Sequence, residues 1–182
     1  MRLTHGGIQY GSFWDKSICN GVSLGYIRIQ DDITSVVISK GIAEIGENTF
    51  SNSQALNNVV IPATVKTIGH RAFSNCTSLT EITIPSSVTS IGYSAFSNCT
   101  SLTEITIPSS VTSIGNGAFS NCTSLTEITI PNSVTTMEGH VFADIPLITV
   151  HVPWKEGEKP DGWDENWAET RSDYTITIDY AK

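Results

Sequence analysis

The chain has 182 residues, which suits one ordinary domain or one short repeat array and excludes two sizeable enzyme domains. Hydrophobic residues make up 39% and charged residues 15%, so a packed core is expected rather than intrinsic disorder. The 18 acidic and 10 basic residues give a net charge of -8, which disfavours nucleic acid and anionic membranes as partners. No segment reaches the roughly 20 apolar residues of a membrane-spanning helix, and the opening MRLTHGGIQY lacks the apolar run of a secretory signal.

Residues 1–32 lie outside any repeat, and we expect them to form an N-terminal cap over the open end of a core. The segment contains the dipeptide Asn20-Gly21 between short apolar runs, which predicts a two-residue hairpin. Four of its aromatic residues can supply apolar cover: Tyr10, Phe13, Trp14 and Tyr26.

A repeat of 23 residues governs the middle of the chain. Units 84–106 and 107–129 differ at two positions only, and unit 61–83 is closely similar to both. Degenerate units precede and follow them, at 38–60 and 130–152, as expected for a stacked array with atypical ends. The spacing is clearest in one column of phenylalanines: Phe50, Phe73, Phe96, Phe119 and Phe142.

Each unit changes its hydrophobic period along its length. In AFSNCTSL the apolar residues lie three and four apart, which predicts a short helix or 3₁₀ turn. In LTEITIP the period is two, which predicts a strand that buries Ile82 and Ile84 and exposes Glu81 and Thr83. A glycine column that includes Gly92 predicts a turn whose backbone conformation disfavours a side chain. One unit alone cannot bury these side chains, so the units are expected to stack into a solenoid.

The repeat I-P-x-x-V-x-x-I-G-x-x-A-F-x-x-C-x-x-L-x-x-I-x resembles the BspA-like leucine-rich repeats of bacterial and some protozoal surface proteins, over about residues 33–153. The resemblance implies an α/β leucine-rich-repeat solenoid, mostly β, with short parallel strands and short helical or 3₁₀ turns. About five repeats are expected, with a cap at each end. Proteins with such repeats are similar to adhesins or interaction proteins, so the resemblance also implies a cell-surface or extracellular location, although no signal peptide is visible in this chain.

After the array, residues 154–182 have a different composition, with three tryptophans and many charges followed by the alternating run YTITIDY. We expect a C-terminal cap that ends in a strand. Trp154, Trp163 and Trp167 either cover the end of the core or form an exposed aromatic patch for a partner. Cover is the simpler interpretation, and the patch remains a secondary candidate site.

Several columns of like residues are candidate chemical sites. Cys76, Cys99 and Cys122 are expected to be small buried thiols, since parallel side chains in a column do not converge on a metal. Asn75, Asn98 and Asn121 match the N-x-T glycosylation pattern, but a hydrogen-bonded column is preferred. The four histidines form no HExxH, and no G-x-S-x-G is present. We therefore expect no catalytic residue, no metal site of this kind, no cofactor and no enzyme.

The solvent-facing side of the strands is the leading candidate for binding, since the inner sheet of horseshoe solenoids is their usual binding surface. Three stacked glutamates there repel one another weakly, and a cationic partner or weakly bound calcium would offset that repulsion. The other interpretation is that duplication copied one harmless surface glutamate. The candidate residues are Glu81, Thr83, Glu104, Thr106, Glu127, Thr129, Thr149 and His151.

These observations favour a non-catalytic module that binds a protein or a glycan, and the resemblance suggests surface adhesion. The alternative is a structural spacer or assembly subunit, for example of a phage or mobile-element particle, that contacts partners through its caps. The identity of the partner and the localisation stay open at this point.

Overall fold

A computed structural model describes the backbone of residues 2–5 and 8–10, together with residues 33–170 and 172–181. In these ranges the chain forms a parallel β-solenoid of about five coils and contains no helix. It follows that none of the described residues belongs to a helix with the length and apolar character needed to cross a bilayer. The strands are β1 (Arg2–His5), β2 (Ile8–Tyr10), β3 (Ser35–Val37), β4 (Glu44–Ile45), β5 (Asn58–Val60), β6 (Thr67–Ile68), β7 (Glu81–Thr83), β8 (Ser90–Ile91), β9 (Glu104–Thr106), β10 (Ser113–Ile114), β11 (Glu127–Thr129), β12 (Thr136–Met137), β13 (Leu147–Val152) and β14 (Thr175–Tyr180).

Each coil supplies a two-residue strand and a longer strand, which has three residues except in the last coil, where β13 has six. The three-residue strands stack in parallel, with Ile82 aligned to Ile105 between β7 and β9. The two-residue strands form a second parallel sheet in the order β12-β10-β8-β6-β4. Strands alternate exposed and buried residues, so the predicted burial of Ile82 and Ile84 is confirmed at 6% and 5% exposure. The predicted solenoid is confirmed.

The core is a column of identical side chains from successive coils. Phe73 and Phe96 stack at a ring-centroid distance of 5.3 Å, and Phe96 and Phe119 at 5.7 Å, with nearly parallel planes. All three rings are completely buried. Stacking buries apolar surface that a single coil would leave in water, so each coil depends on its neighbours for its core.

The segment AFSNCTSL forms consecutive turns and no helix, so of the two predicted alternatives the short helix is wrong. The amides of Cys76 and Leu79 donate to carbonyls three residues earlier, which is the hydrogen bond of the predicted 3₁₀-type turn. The Phe73 amide donates to the Ala95 carbonyl of the next coil, and the Asn75 amide donates to Ser97 in the same way. Arg71 and Asn75 adopt positive φ angles of 52° and 62°. A right-handed helix needs neither feature, because its amides bond within the helix and its φ angles are negative.

The glycine column is explained by distance between coils. A Cβ atom on Gly92 would lie 2.8 Å from the carbonyl carbon of Gly69, and one on Gly115 would lie 2.6 Å from the amide nitrogen of Tyr93. The positive φ angles occur two residues later, at Arg71 and Ser94. The sequence correctly predicted that a side chain is disfavoured at the glycine column. The cause is close approach of the backbones of neighbouring coils, and the predicted cause, backbone conformation, is wrong.

The ends of the array differ from its middle. At the N-terminal end, β1 pairs antiparallel with both β2 and β3. The hairpin predicted at Asn20-Gly21 and the remainder of that cap, including Cys19, lie outside the described residues. At the C-terminal end, β14 forms the strand predicted from YTITIDY and pairs in parallel with β13.

Candidate functional site

The candidate surface consists of two exposed columns on the three-residue strands. The isoleucine between them points into the core, so the glutamate and threonine on either side of it point to solvent. We call this surface the glutamate–threonine face. Its members are Glu81, Thr83, Glu104, Thr106, Glu127 and Thr129.

Strand register places like residues beside one another. Glu81 is the partner of Glu104, and β9 in turn neighbours β11, which carries Glu127. Neighbouring strands lie about 4.8 Å apart, so the carboxylates form a closely spaced acidic row. No basic side chain in the described part of the chain forms an ion pair with Glu81 or Glu104. An open groove of about 500 Å³ runs along this face beside Glu104 and Glu127.

The columns continue into the last two strands. Thr149 aligns with Glu127, and His151 aligns with Thr129. Both predicted residues therefore lie beside the glutamate–threonine face, and both are half-buried. Beyond them, Asp179 on β14 aligns with His151 and extends the row of polar side chains.

His151 lies between two carboxylates. Its Nε2 is 2.8 Å from Glu127 Oε1, and its Nδ1 is 2.6 Å from Asp179 Oδ2. Only the imidazolium form can donate to both carboxylates at once. The hydrogen bond with Asp179, followed by that with Glu127, raises the pKa of His151 above its usual value, while partial desolvation opposes the rise. His151 is thus a cation that joins three strands.

Asp179 was not identified as a site residue from the sequence. It lies 28 residues after His151, whereas the repeat is 23 residues long. The signal available was the alternation in YTITIDY, which predicts an exposed side chain at Asp179 but does not give the register of the strand.

Metal binding finds no support here. Among the residues that the structure describes, no group of three or more histidine, cysteine, aspartate or glutamate side chains is placed to hold a metal ion. Glu81, Glu104 and Glu127 are among these residues, so the structure gives no support for a calcium site in the glutamate row.

The three tryptophans lie at the C-terminal end of the core. Trp163 and Trp167 are only 2% and 3% exposed, and Trp154 is half-buried. Their rings meet edge to face, at 5.1 Å between Trp163 and Trp167 and 5.5 Å between Trp154 and Trp163. The Trp163 indole also donates a hydrogen bond to the Val134 carbonyl. This packing matches the interpretation of the tryptophans as cover for the core and leaves little of Trp163 or Trp167 for a partner.

The cysteine column is buried as predicted. Cys76, Cys99 and Cys122 are free thiols with no exposed surface. Burial raises the pKa of the Cys99 thiol to about 12, and it raises those of Cys76 and Cys122 well above the usual value. These are structural thiols with little thiolate available for reaction.

The asparagine column forms hydrogen bonds between coils. Asn121 Nδ2 donates to Asn98 Oδ1 at 2.6 Å, and Asn75 Nδ2 donates to Asn52 Oδ1 at 2.9 Å. All four residues have positive φ angles, a conformation that asparagine tolerates better than most residues. The predicted hydrogen-bonded column is thus confirmed between Asn98 and Asn121 and extends from Asn75 to Asn52, while Asn98 Nδ2 donates to Ser97 Oγ instead of to Asn75.

Comparison with curated proteins found no significant match. Among solved structures, a leucine-rich repeat protein of T. pallidum is similar, with 25% identity and a TM-score of 0.58 over 70% of this chain and 71% of the other. A leucine-rich repeat protein of Bacteroides ovatus has 27% identity and a TM-score of 0.58 over 97% of this chain, which spans only 51% of that protein. The pneumococcal vaccine antigen PcpA shares the fold at 19% identity and a TM-score of 0.62, over 81% of this chain and 42% of the other.

A family model described as the BspA type leucine-rich repeat region matches residues 18–155 with six copies. That match covers well over half of the 182 residues. The resemblance read from the repeat pattern is thereby confirmed, and the chain belongs to the BspA-type leucine-rich repeat family.

Proposed function

We propose that the protein is a non-catalytic interaction module that binds a protein partner through the glutamate–threonine face. Family membership supports a binding or adhesion role in general terms. The main support for this face is its acidic row. Glu81 and Glu104 form no ion pair with a basic side chain in the described part of the chain.

The chemistry of this face selects the kind of partner. Exposed carboxylates at strand spacing repel one another, and a partner that brings lysine or arginine side chains relieves the repulsion. The threonine column beside the glutamates offers hydroxyl groups that both donate and accept hydrogen bonds. A protein segment with basic side chains therefore suits the face better than an anionic partner does.

The first experiment is a binding screen against purified extracellular-matrix proteins, with titration of each hit by biolayer interferometry. Three proteins are compared: the wild type, the triple variant Glu81→Gln, Glu104→Gln, Glu127→Gln, and a control triple variant. The control is Glu156→Gln, Glu158→Gln, Glu165→Gln, which removes the same charge from exposed positions in the C-terminal segment.

If the proposal is correct, the first triple variant loses affinity by about tenfold or more, as expected when charge pairs worth more than about 1.4 kcal/mol are removed. The control variant retains the affinity of the wild type. Equal binding by all three proteins would contradict the proposal and would favour contact through the caps, as in a spacer or assembly subunit.

A further inference from the structure

A second groove lies on the sheet of two-residue strands. It has a volume of about 450 Å³ and spans the five coils from Glu44 to Glu138. Five strands at about 4.8 Å spacing give the groove a length of about 19 Å. We call it the turn groove. Among the side chains that line it are Thr67, His70, Ser90, Tyr93, Ser113 and Glu138.

The floor of the turn groove is backbone. Gly69, Gly92 and Gly115 line it, and the coils approach one another so closely there that no side chain fits. The residue after each glycine, such as His70 or Tyr93, therefore lies at the side of the groove, next to a floor that carries no side chain.

The two residues that follow each glycine position differ in every coil, even among the three closely similar central units. Units 84–106 and 107–129 are identical except at these two positions, while the sequence Glu-Ile-Thr of the glutamate–threonine face occurs unchanged three times. Packing fixes the framework of a repeat array and leaves surface positions free to carry specificity. The differing pairs are Glu47-Asn48, His70-Arg71, Tyr93-Ser94, Asn116-Gly117 and Gly139-His140.

Backbone conformation also distinguishes these pairs. The second residue of each pair has a positive φ angle, for example 52° at Arg71 and 49° at Ser94, and glycine occupies that position in one coil only, as Gly117. Arginine and serine disfavour this conformation, whereas glycine adopts it readily. The turn thus keeps the same backbone conformation in every coil, whichever side chain occupies the position.

The most distinctive group at the groove is aromatic and basic: His70 and Tyr93 line the groove, and Arg71 packs on Tyr93 from beside it. The Arg71 guanidinium carbon lies 4.9 Å from the centroid of the Tyr93 ring, and the His70 ring meets the same ring edge to face at 6.2 Å. Arg71 also donates a hydrogen bond to the Tyr93 hydroxyl at 3.5 Å. Tyr93 nevertheless remains 37% exposed, and the next coil carries the smaller Asn116 at this position. Neighbouring side chains thus hold the tyrosine ring in place while leaving part of it open.

This combination suits a sugar. A pyranose ring has an apolar face of C–H groups that stacks on an aromatic ring, and its hydroxyl groups bond to hydroxyl and carboxylate side chains. Thr67, Ser90 and Ser113 supply such hydroxyls along the groove, and Glu138 supplies a carboxylate. Acidic side chains at both ends disfavour polyanions, and the shallow polar lining offers no pocket for an apolar peptide side chain.

We propose that the turn groove binds a neutral oligosaccharide that stacks on the Tyr93 ring. His70 and Arg71 hold that ring in position. This site lies on a different sheet from the glutamate–threonine face, so each proposal can be tested, and can fail, independently of the other.

The test is binding of the full chain to an array of defined neutral and acidic oligosaccharides, with titration of the hits by calorimetry. Tyr93→Ala removes the stacking ring, and Tyr93→Phe retains it. The glutamine triple variant of the glutamate–threonine face serves as the control for the other surface. Thermal unfolding of every variant checks that the fold is retained.

We expect the wild type to bind neutral oligosaccharides and Tyr93→Ala to weaken the binding by about tenfold, the loss of one aromatic stacking contact. Tyr93→Phe and the glutamine triple variant should bind nearly as well as the wild type. The proposal would be overturned by wild-type binding to no neutral oligosaccharide, by binding to acidic oligosaccharides only, or by equal binding of folded Tyr93→Ala.

Discussion

The Nδ1 atom of His151 lies 2.6 Å from Oδ2 of Asp179, and this contact joins the final strand β14 to the repeat array. On its other side, His151 contacts Glu127. The glutamate row and the C-terminal strand therefore meet at one protonated histidine, so a pH change that removes its charge acts on both.

The first prediction concerns this histidine. Its pKa in the folded protein is raised, so the stabilisation is fully present below the unfolded value of about 6.5 and is lost as the pH rises through the folded pKa. We expect the wild type to exceed His151→Gln in unfolding free energy by at most about 1 kcal/mol, because both carboxylates are well exposed. Urea unfolding from about pH 6 to about pH 9 measures the difference.

Asp179→Asn is the matched variant, since it removes the larger cause of the raised pKa and keeps the shape of the side chain. Its unfolding free energy should show the same weakened dependence on pH. A gap between wild type and His151→Gln that stays constant or widens with rising pH would contradict the assignment of His151 as the bridging cation.

The second prediction tests the phenylalanine column. Phe96 is fully buried and stacks on a ring at each side. Replacing it with alanine leaves a cavity and should reduce the unfolding free energy by about 3 to 5 kcal/mol. Urea denaturation followed by circular dichroism measures this loss, with Tyr93→Ala as an exposed aromatic control. A loss below about 1 kcal/mol would mean that the column is not the centre of the core.

The third prediction tests close backbone approach at the glycine column. Gly92→Ala places a Cβ atom 2.8 Å from backbone atoms of the preceding coil, which should cost about 1 to 3 kcal/mol as overpacking. Gly139→Ala meets only side-chain atoms, at 3.3 Å from Asn116 Nδ2, and should cost less. The melting temperatures of the two variants measure this difference in stability. Equal melting temperatures would contradict close backbone approach as the reason for glycine at position 92.

The fourth prediction concerns thiol reactivity. Because burial raises the pKa of Cys99 to about 12 and raises the pKa of Cys76 and Cys122, these thiols should not react with iodoacetamide at neutral pH in the folded protein. In denaturant they should react fully. Peptide mass spectrometry resolves the individual sites, and rapid labelling of Cys99 under native conditions would show that the column is accessible.

Much of the fold was predictable because one period repeats. The spacing of 23 residues assigned Phe96 to the core and Glu104 to the surface, and the structure confirms both. The short helix that was one alternative for AFSNCTSL is absent, because apolar spacing of three and four does not reveal where amides bond. At Phe73 the amide bonds to the next coil, and this contact depends on stacking rather than on local sequence.

Prediction of the candidate site was less complete. The glutamate–threonine face follows from alternation within a strand, so Glu81 and Thr83 could be placed on it. Asp179 could not be paired with His151, because the chain between β13 and β14 does not follow the repeat. The turn groove was also missed, since Tyr93 and Arg71 belong to different coils and meet only after stacking.

The most direct test of the glutamate–threonine face as the binding surface is carboxyl footprinting. A carbodiimide and an amine label exposed glutamates with and without the partner found in the screen, and tandem mass spectrometry reads each site. We predict that the partner protects Glu81 and Glu104 and leaves Glu156 and Glu158 labelled as before. Protection of Glu156 and Glu158 with unchanged labelling of Glu81 and Glu104 would contradict the account and place the contact on the C-terminal cap.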